Sequence, residues 1–229
     1  VYRIDRDTTR NKGSLETMLA QVHAGGPCLL LGTQMLAKGH HFPKVTLAAI
    51  LDADASLFSS DFRGPEKLAQ LLVQTAGRAG RENIPGTAVI QTYQADHPTI
   101  DLLVTKGYNA FAQQELASRQ QSGLPPLGHM ALFHAQAKDA NHAFTLLHWL
   151  AQQVQDPTLA HLTRSLLMFG PMPAFMARRA HFYRAQLQLQ HPNRKRLQQL
   201  LQQLCARLDQ HPGARKIRWS LDIDPQELG

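Results

Sequence analysis

Two stretches of this chain, PCLLLGT (27–33) and VTLAAILDAD (45–54), each contain a run of apolar residues without a polar interruption, CLLL and LAAIL. A strand wet on one face has to alternate. An unbroken run predicts burial on both faces, and such strands belong to parallel sheets covered by helices. The surroundings fit that demand. VYRID (1–5) alternates as a short strand, and Leu15, Met18, Leu19 and Val22 recur at helical spacing before Gly25 and Gly26. A helix from about Pro65 to Thr75 and a strand over TAVIQTY (87–93) follow, completing an α/β order. A long helical stretch, roughly 98–121, then runs into the breaker GLPPLG (123–128), where the sequence places a domain boundary: 1–122 and 123–229.

Beyond the breaker the period changes. HMALFHAQ predicts a strand. Residues 140–155 predict a helix with Phe144, Leu147, Ala151 and Val154 inward, and LLMFG (166–170) predicts a short strand. HFYRAQLQLQ (181–190) alternates strictly: Tyr183, Ala185, Leu187 and Leu189 on one face, Arg184, Gln186, Gln188 and Gln190 on the other. PNRKRLQQLLQQLCARL is an amphipathic helix with Leu197, Leu200, Leu201, Leu204 and Leu208 as its stripe and Gln198, Gln199, Gln202 and Gln203 as its solvated face. KIRWSLDID (216–224) alternates again. The order is β-α-β-β-α-β, a ferredoxin-like α+β arrangement.

Charge separates the two halves. Residues 1–127 carry 12 basic and 11 acidic side chains, a net of +1, while residues 128–229 carry 12 and 6, a net of +6. Nearly all of the chain's +7 therefore lies beyond the breaker, which favours an anionic polymer as partner of the second half. No run of 18 apolar residues is present, so no membrane helix is expected. No basic-then-apolar leader is visible, and the chain opens on Val1 inside a strand, as a piece of a longer protein would. Cys28 falls in an apolar run and Cys205 in the amphipathic helix, so both are predicted to be core residues. No histidine or cysteine spacing fits a metal site, His40 and His41 being the only adjacent histidines.

Three features converge on one edge of the first half, where ligands of open α/β sheets bind beyond the strand carboxyl ends. Gly32 and Thr33 open the loop QMLAKGHHFP, Asp52 and Asp54 close the next strand, and QTAGRAGR (74–81) follows a helix. The last segment sets Arg78 and Arg81 on a backbone of glycine and alanine. Arginine stays charged and offers a planar fork that matches phosphate oxygens, and glycine lets a ligand approach the backbone.

The segments VYRIDRDTT, GTQMLAKGHHFPKVTLAAILDADASLFSSDFRGPEK and QTAGRAGR resemble the second motor lobe of superfamily 2 helicases, and within them the bacterial replication-restart helicases. GPMPAF, LQHPNRKRLQ and LDIDP extend that resemblance through the second half. It implies a partial RecA-like lobe, a parallel sheet with helices on both sides, followed by the basic ferredoxin-like domain. It implies a site for ATP with Mg2+ shared with a first lobe that this chain lacks; the chain has no phosphate-cradling loop or magnesium carboxylate pair, so alone it is expected to be inactive. Arg81 would be the arginine finger, Arg78 would bind phosphate or couple the lobes, and Gln74 would sense nucleotide or DNA; which arginine has which role stays open. Gly77 and Gly80 would let nucleotide approach. Thr33 would contact a DNA phosphate, and Lys38, Gly39 and His40 would line the seam between DNA and nucleotide. Asp54, with Asp61, Arg63 and Glu66, would hold this edge together by ion pairs. The family's zinc region precedes the matched segment, so no zinc is expected here.

In the second half the resemblance implies DNA contacts by Arg178, Arg179, Arg184, Arg194, Lys195, Arg196, Arg215, Lys216 and Arg218. Phe182, Tyr183 and Trp219 could stack on bases, though Tyr183 and Trp219 fall on apolar strand faces where core packing is the simpler fate. The implied partners are branched and single-stranded DNA, single-stranded-DNA-binding protein and primosome proteins, in a cytoplasmic, nucleoid-associated bacterial setting. Two other readings compete: a non-catalytic nucleic-acid-binding module on a degenerate lobe, and a lobe of an RNA helicase. The joint presence of Gln74, Gly77, Arg78, Gly80 and Arg81 beside Thr33 and Gly39 argues against the first. GHHFP and the basic second domain argue against the other.

Overall fold

The computed structural model describes residues 1–5, 13–24, 26–32, 42, 45–77, 79, 86–226 and 228. It divides into two compact units, Val1–Gln113 and Gln114–Gly229. The architecture is mixed α/β: small parallel sheets in the first unit, and a four-stranded antiparallel sheet with helices in the second.

In the first unit β1 (Tyr2–Ile4) pairs in parallel with β2 (Leu30–Gly32), and α1 (Ser14–His23) lies between them in sequence. Leu15, Met18, Leu19 and Val22 of α1 are half-buried, as their spacing predicts. β3 (Leu47–Ile50) pairs in parallel with β4 (Thr87–Ile90), joined through α2 (Ala53–Leu57) and α3 (Gly64–Ala76). Ile50, Ala53, Leu57, Leu68 and Ile100 form one small core; Ala69, Leu103 and Phe111 form another. The unbroken apolar runs are not buried on both faces. Leu31 is 43% exposed and Leu47 61%, and Cys28 is exposed too. Among the described residues these strands lie in two-stranded sheets, so each has a strand partner along one edge only. α2 has no signal in the sequence: ADASL lacks a helical repeat long enough to see, and the helix starts because the Asp52 carboxylate accepts from the Ala55 N–H at 3.3 Å.

α4 (Pro98–Gln121) is interrupted at Gly107, which takes φ 79° and ψ −176°, a conformation open to glycine alone at little cost. The second unit then builds β5 (His129–Ala137), α5 (Ala140–Val154), a 3₁₀ turn (Pro157–Leu159), α6 (Ala160–Thr163), β6 (Leu167–Arg179), β7 (Phe182–His191), α7 (Arg194–Gln210), a second 3₁₀ turn (Ala214–Lys216) and β8 (Arg218–Ile223). The strand order is β6-β7-β5-β8, all neighbours antiparallel. Asp139 and Asn193 cap α5 and α7 by accepting from the N–H groups of Asn141 and Arg196.

One sheet face carries Ala131, Phe133 and Ala135 of β5 and Ala185, Leu187 and Leu189 of β7. These pack with Leu146, Leu147 and Leu150 of α5 and the leucine stripe of α7 in one continuous core. Cys205 is half-buried against that core, as is Trp219. Gln198, Gln199, Gln202 and Gln203 are exposed, as the stripe demands.

Two expectations fail in this unit. β6 does not stop at Gly170 but runs to Arg179. Gly170, Pro171 and Pro173 read as breakers, yet proline is tolerated on an edge strand, where a missing N–H breaks no ladder, and β6 is an edge. The glutamine row of β7 is also less exposed than its polarity suggests, with Gln186 and Gln190 buried.

α7 is tied to the end of α5 through Arg207, whose guanidinium donates to Gln153 Oε1 (2.8 Å), Asp156 Oδ2 (2.7 Å) and Thr158 Oγ1 (3.2 Å). Asp156 also accepts from the Thr158 hydroxyl at 2.7 Å and the Thr158 N–H at 2.8 Å. These bonds, led by the Thr158 hydroxyl, hold the Asp156 carboxyl at about 2, below its ordinary 3.8. A depressed carboxylate stabilises the fold above its unfolded pKa, and that contribution is lost as pH falls through the folded value. Acidification from about 4 towards about 2 will therefore erode the stability of this unit. By NMR titration, Thr158→Val and Arg207→Gln will each move the Asp156 midpoint up towards 3.8.

Gly64, the first residue of α3, sits in tight contact with the end of α2 and the residues after it. A Cβ there would meet the Ser56 carbonyl oxygen and lie 2.7 Å from Ser59 Cβ. Gly64→Ala is expected to destabilise the first unit by about 1–3 kcal/mol, read as a lower denaturant midpoint, because backbone has to move to admit the methyl group.

Candidate nucleotide and nucleic-acid sites

The carboxyl ends of β3 and β4 are locked together by side chains. Gln91 donates its N–H to the Ile50 carbonyl at 2.9 Å, its carbonyl accepts from Ala53 N at 3.1 Å, and its Oε1 accepts from Asp52 N at 3.0 Å. Asp52 takes φ 54° and ψ 54°, a left-handed turn that aspartate tolerates better than most side chains. Asp54 then bridges to the far strand. One carboxylate oxygen accepts from the Thr92 hydroxyl at 2.9 Å, the other from the Tyr93 N–H at 3.0 Å. The expectation that ion pairs hold this edge is corrected for Asp54, whose partners are a neutral hydroxyl and a backbone amide.

The DFRGPE segment makes the turn into α3. Asp61 accepts from the Arg63 N–H at 3.0 Å and pairs with Lys67 Nζ at 2.8 Å, so its cationic partner is a lysine that sequence reasoning passed over. Glu66 accepts from Gln70 at 3.0 Å. The Arg63 guanidinium lies 4.3 Å from the Phe62 ring centre, and its Nη1 is buried with no hydrogen-bond partner among the described residues. Pro65 follows at the first turn, where a missing N–H costs nothing.

Gln74 is half-buried in the last turn of α3. Gly77 caps that helix with φ −68° and ψ −4°, donating to Val73 O at 3.0 Å. Its role is therefore not a left-handed turn; a Cβ would sit 3.2 Å from Val73 O. Arg78, Gly80, Arg81, Thr33, Lys38, Gly39 and His40 lie outside the described residues. The structure thus places Asp54 beside β4, and Gln74 and Gly77 at the end of α3. Among the described residues no group of three His, Cys, Asp or Glu is placed to hold a metal ion, and no helix is long and apolar enough to cross a membrane.

In the second unit the register sets the basic residues. Gln136 of β5 lies opposite Arg184 of β7 on one side and opposite Arg218 of β8 on the other, so the two arginines share a row on the face turned away from the core. Two residues back along β5, His134 lies between Gln186 and Ser220. Burial lowers the His134 pKa below its ordinary value, Arg184 lowers it further, and Asp222 opposes both. The buried Gln186 Oε1 in this row has no partner among the described residues. His134 has no sequence signal, since only pairing across strands brings it between these groups.

Arg178 and Arg179 end β6 and are exposed, as is Arg218. The Arg178 guanidinium lies 5.1 Å from the Tyr183 ring centre and that of Arg218 lies 5.1 Å from Phe182. Tyr183 and Phe182 are half-buried under those cations, while Trp219 packs on the core. Arg194, Lys195 and Arg196 are exposed in the first turn of α7, and Arg215 and Lys216 in the second 3₁₀ turn. The nine predicted DNA-binding residues therefore divide. Arg178, Arg179, Arg184 and Arg218 belong to the sheet, and the other five to the first turn of α7 and the second 3₁₀ turn.

Residues 120–226 match the family described as the primosomal protein N C-terminal domain. The replication restart protein PriA of Haemophilus influenzae is 47% identical over 229 residues, covering 100% of this chain and 30% of that protein. The PriA protein of Bacillus subtilis is 35% identical over 225 residues, covering 98% and 28%. That of Synechocystis is 36% identical over 194 residues, covering 83% and 22%. The chain thus spans no more than about 30% of the length of these relatives. Its similarity runs from the strands of the first unit through the last strand of the second, and on that basis the chain belongs to the PriA family of replication restart proteins, as their C-terminal portion.

Proposed function

We propose that this chain supplies the second motor lobe and the C-terminal DNA-contacting domain of an ATP-dependent 3′–5′ DNA helicase. The whole protein would bind stalled or branched forks and start primosome assembly. The observation that carries the reading is the end-to-end similarity to replication restart proteins, joined to QTAGRAGR at the end of α3. In this reading the first unit is a partial RecA-like lobe and the second a ferredoxin-like domain.

The chemistry of the first unit supports arginine as the phosphate ligand. The C-terminal end of a helix carries partial negative charge and repels an anion. A phosphate arriving beyond Ala76 gains nothing from the backbone dipole, so charged side chains have to hold it, and Arg78 and Arg81 follow at that point. ATP with Mg2+ supplies the phosphoryl group for hydrolysis when it is bound. Asp54 and Asp61 are engaged by Thr92, Tyr93, Arg63 and Lys67, so the magnesium carboxylates belong to another lobe in this reading. Arg81 stabilises charge in the transition state, Arg78 holds phosphate or couples the lobes, and Gln74, Gly77 and Gly80 form the surface that senses nucleotide. Thr33, Lys38, Gly39 and His40 connect that surface to DNA, with Asp54 fixing the edge they approach.

The second unit supports phosphate contacts without base reading. Its arginines and lysines are mostly exposed, which suits contact with phosphates along a fork more than reading of sequence. Branched and single-stranded DNA are the partners this reading assigns to it, with single-stranded-DNA-binding protein and primosome proteins joining the whole enzyme.

Fork-stimulated ATP hydrolysis by the full-length protein will fall by about 10³-fold or more in Arg81→Ala, with fork affinity kept. Unchanged turnover would make this arginine structural or DNA-facing and would remove the finger from the reading.

A further inference from the structure

We infer that the edge strand β6 carries a stacking platform for an unpaired base, formed by Phe175 with Met176 beside it. The inference rests on the reading that the second unit contacts DNA. Its starting point is an irregularity in the β6–β7 ladder. Pro173 pairs with Ala185 and Arg178 pairs with Tyr183, so four residues, Ala174–Ala177, stand opposite the single residue Arg184. Bulges of this kind re-aim side chains out of the pleat. This one is anchored at its base, where Ala174 is buried, and Arg184 Nη1 lies 3.5 Å from the Met176 carbonyl. The two residues between are turned outward: Phe175 is 78% exposed and Met176 50%.

A lone exposed phenylalanine needs no explanation. The setting is what points to a ligand. Edge strands are protected by charge, proline and bulges, and β6 has all three in Arg178, Arg179, Pro173 and the bulge itself. An exposed aromatic and a methionine at the crest work against that protection. They fit a partner that offers flat apolar faces and negative charge together. From Pro157 to Leu208 the chain contains no Asp or Glu and eight Lys or Arg. A protein surface seldom answers such a field with flat faces, whereas a single strand of nucleic acid offers phosphates and unstacked bases in alternation.

The end of the hairpin adds to this. Arg179 and Phe182 pair across a two-residue loop of Ala180 and His181, with φ of 49° and 67°. A loop with both central residues at positive φ favours Asn-Gly, and alanine and histidine hold that geometry at a cost. The tight turn brings Arg179 and Phe182 opposite each other, one pair beyond Arg178 and Tyr183, so two arginines end the strand that carries Phe175.

The test uses the full 229-residue chain, a single-stranded oligonucleotide containing 2-aminopurine, and affinity measured over a series of salt concentrations. Phe175→Ala is expected to weaken binding roughly 5- to 150-fold, the range for loss of one stacked base, with the salt slope unchanged and the 2-aminopurine quenching lost. Phe175→Trp, which keeps a flat apolar face, is expected to retain both. In the Arg178→Gln, Arg179→Gln double variant the salt slope is expected to fall by roughly 0.7 for each phosphate that the chain ceases to bind. If Phe175→Ala binds and quenches as wild type while the arginine variant loses slope, the platform is overturned and the DNA-contact reading stands. If both bind as wild type, or the wild-type chain binds no oligonucleotide, the platform and the reading for this face fall together.

Discussion

The second unit depends on one constraint, the period of two along β5. This strand is paired on both sides, by β7 and by β8, so its residues are fixed in rows that cross three strands. Ala131, Phe133 and Ala135 have to meet the helices, and the core they form with Leu187, Leu189 and the α7 stripe excludes water. Burial of a side chain such as Phe133 or Leu187 stabilises by about 1.5–3 kcal/mol each. A slip of one residue would reverse the faces of the whole strand, so the register is strongly fixed. The alternate rows follow without further cause. Arg184, Gln136 and Arg218 share a row because their neighbours on each strand are committed to the core.

The first unit is built differently. Its sheets are pairs of strands, and little apolar surface is removed from water on their outer faces. Local polar ties therefore carry more of the organisation. Gln91 and Asp54 bind the ends of β3 and β4 to the start of α2, and Gly64 lets α3 begin in contact with Ser56 and Ser59. These ties place the end of α3, and with it Gln74 and Gly77, relative to the strand ends.

How much is legible in the residues alone follows from the range of each interaction. The leucine stripe of α7 and the alternation of β7 are local patterns, and each predicts a feature the structure contains. The same local reading cuts β6 short, because Gly170, Pro171 and Pro173 signal a break, and only the position of a strand at the sheet edge makes proline harmless. It overstates the burial of PCLLLGT because composition records what a strand can bury, and its neighbours decide what it does bury. Lys67 as partner of Asp61, and Arg207 as the tie between α7 and the end of α5, escape it for a related reason: long flexible side chains carry no period.

Residue identity and short spacings were enough to set the order of the longer strands and helices, the placement of charge beyond residue 127, and the motif text that marks the family. Which residues share a row was left to the tertiary structure. It set His134 between Gln186 and Ser220, turned Asp54 towards Thr92 and Tyr93, and lifted Phe175 out of the β6 edge opposite Arg184. Pairing between strands distant in the chain fixes those neighbours, and no local pattern in the sequence encodes the distance between them.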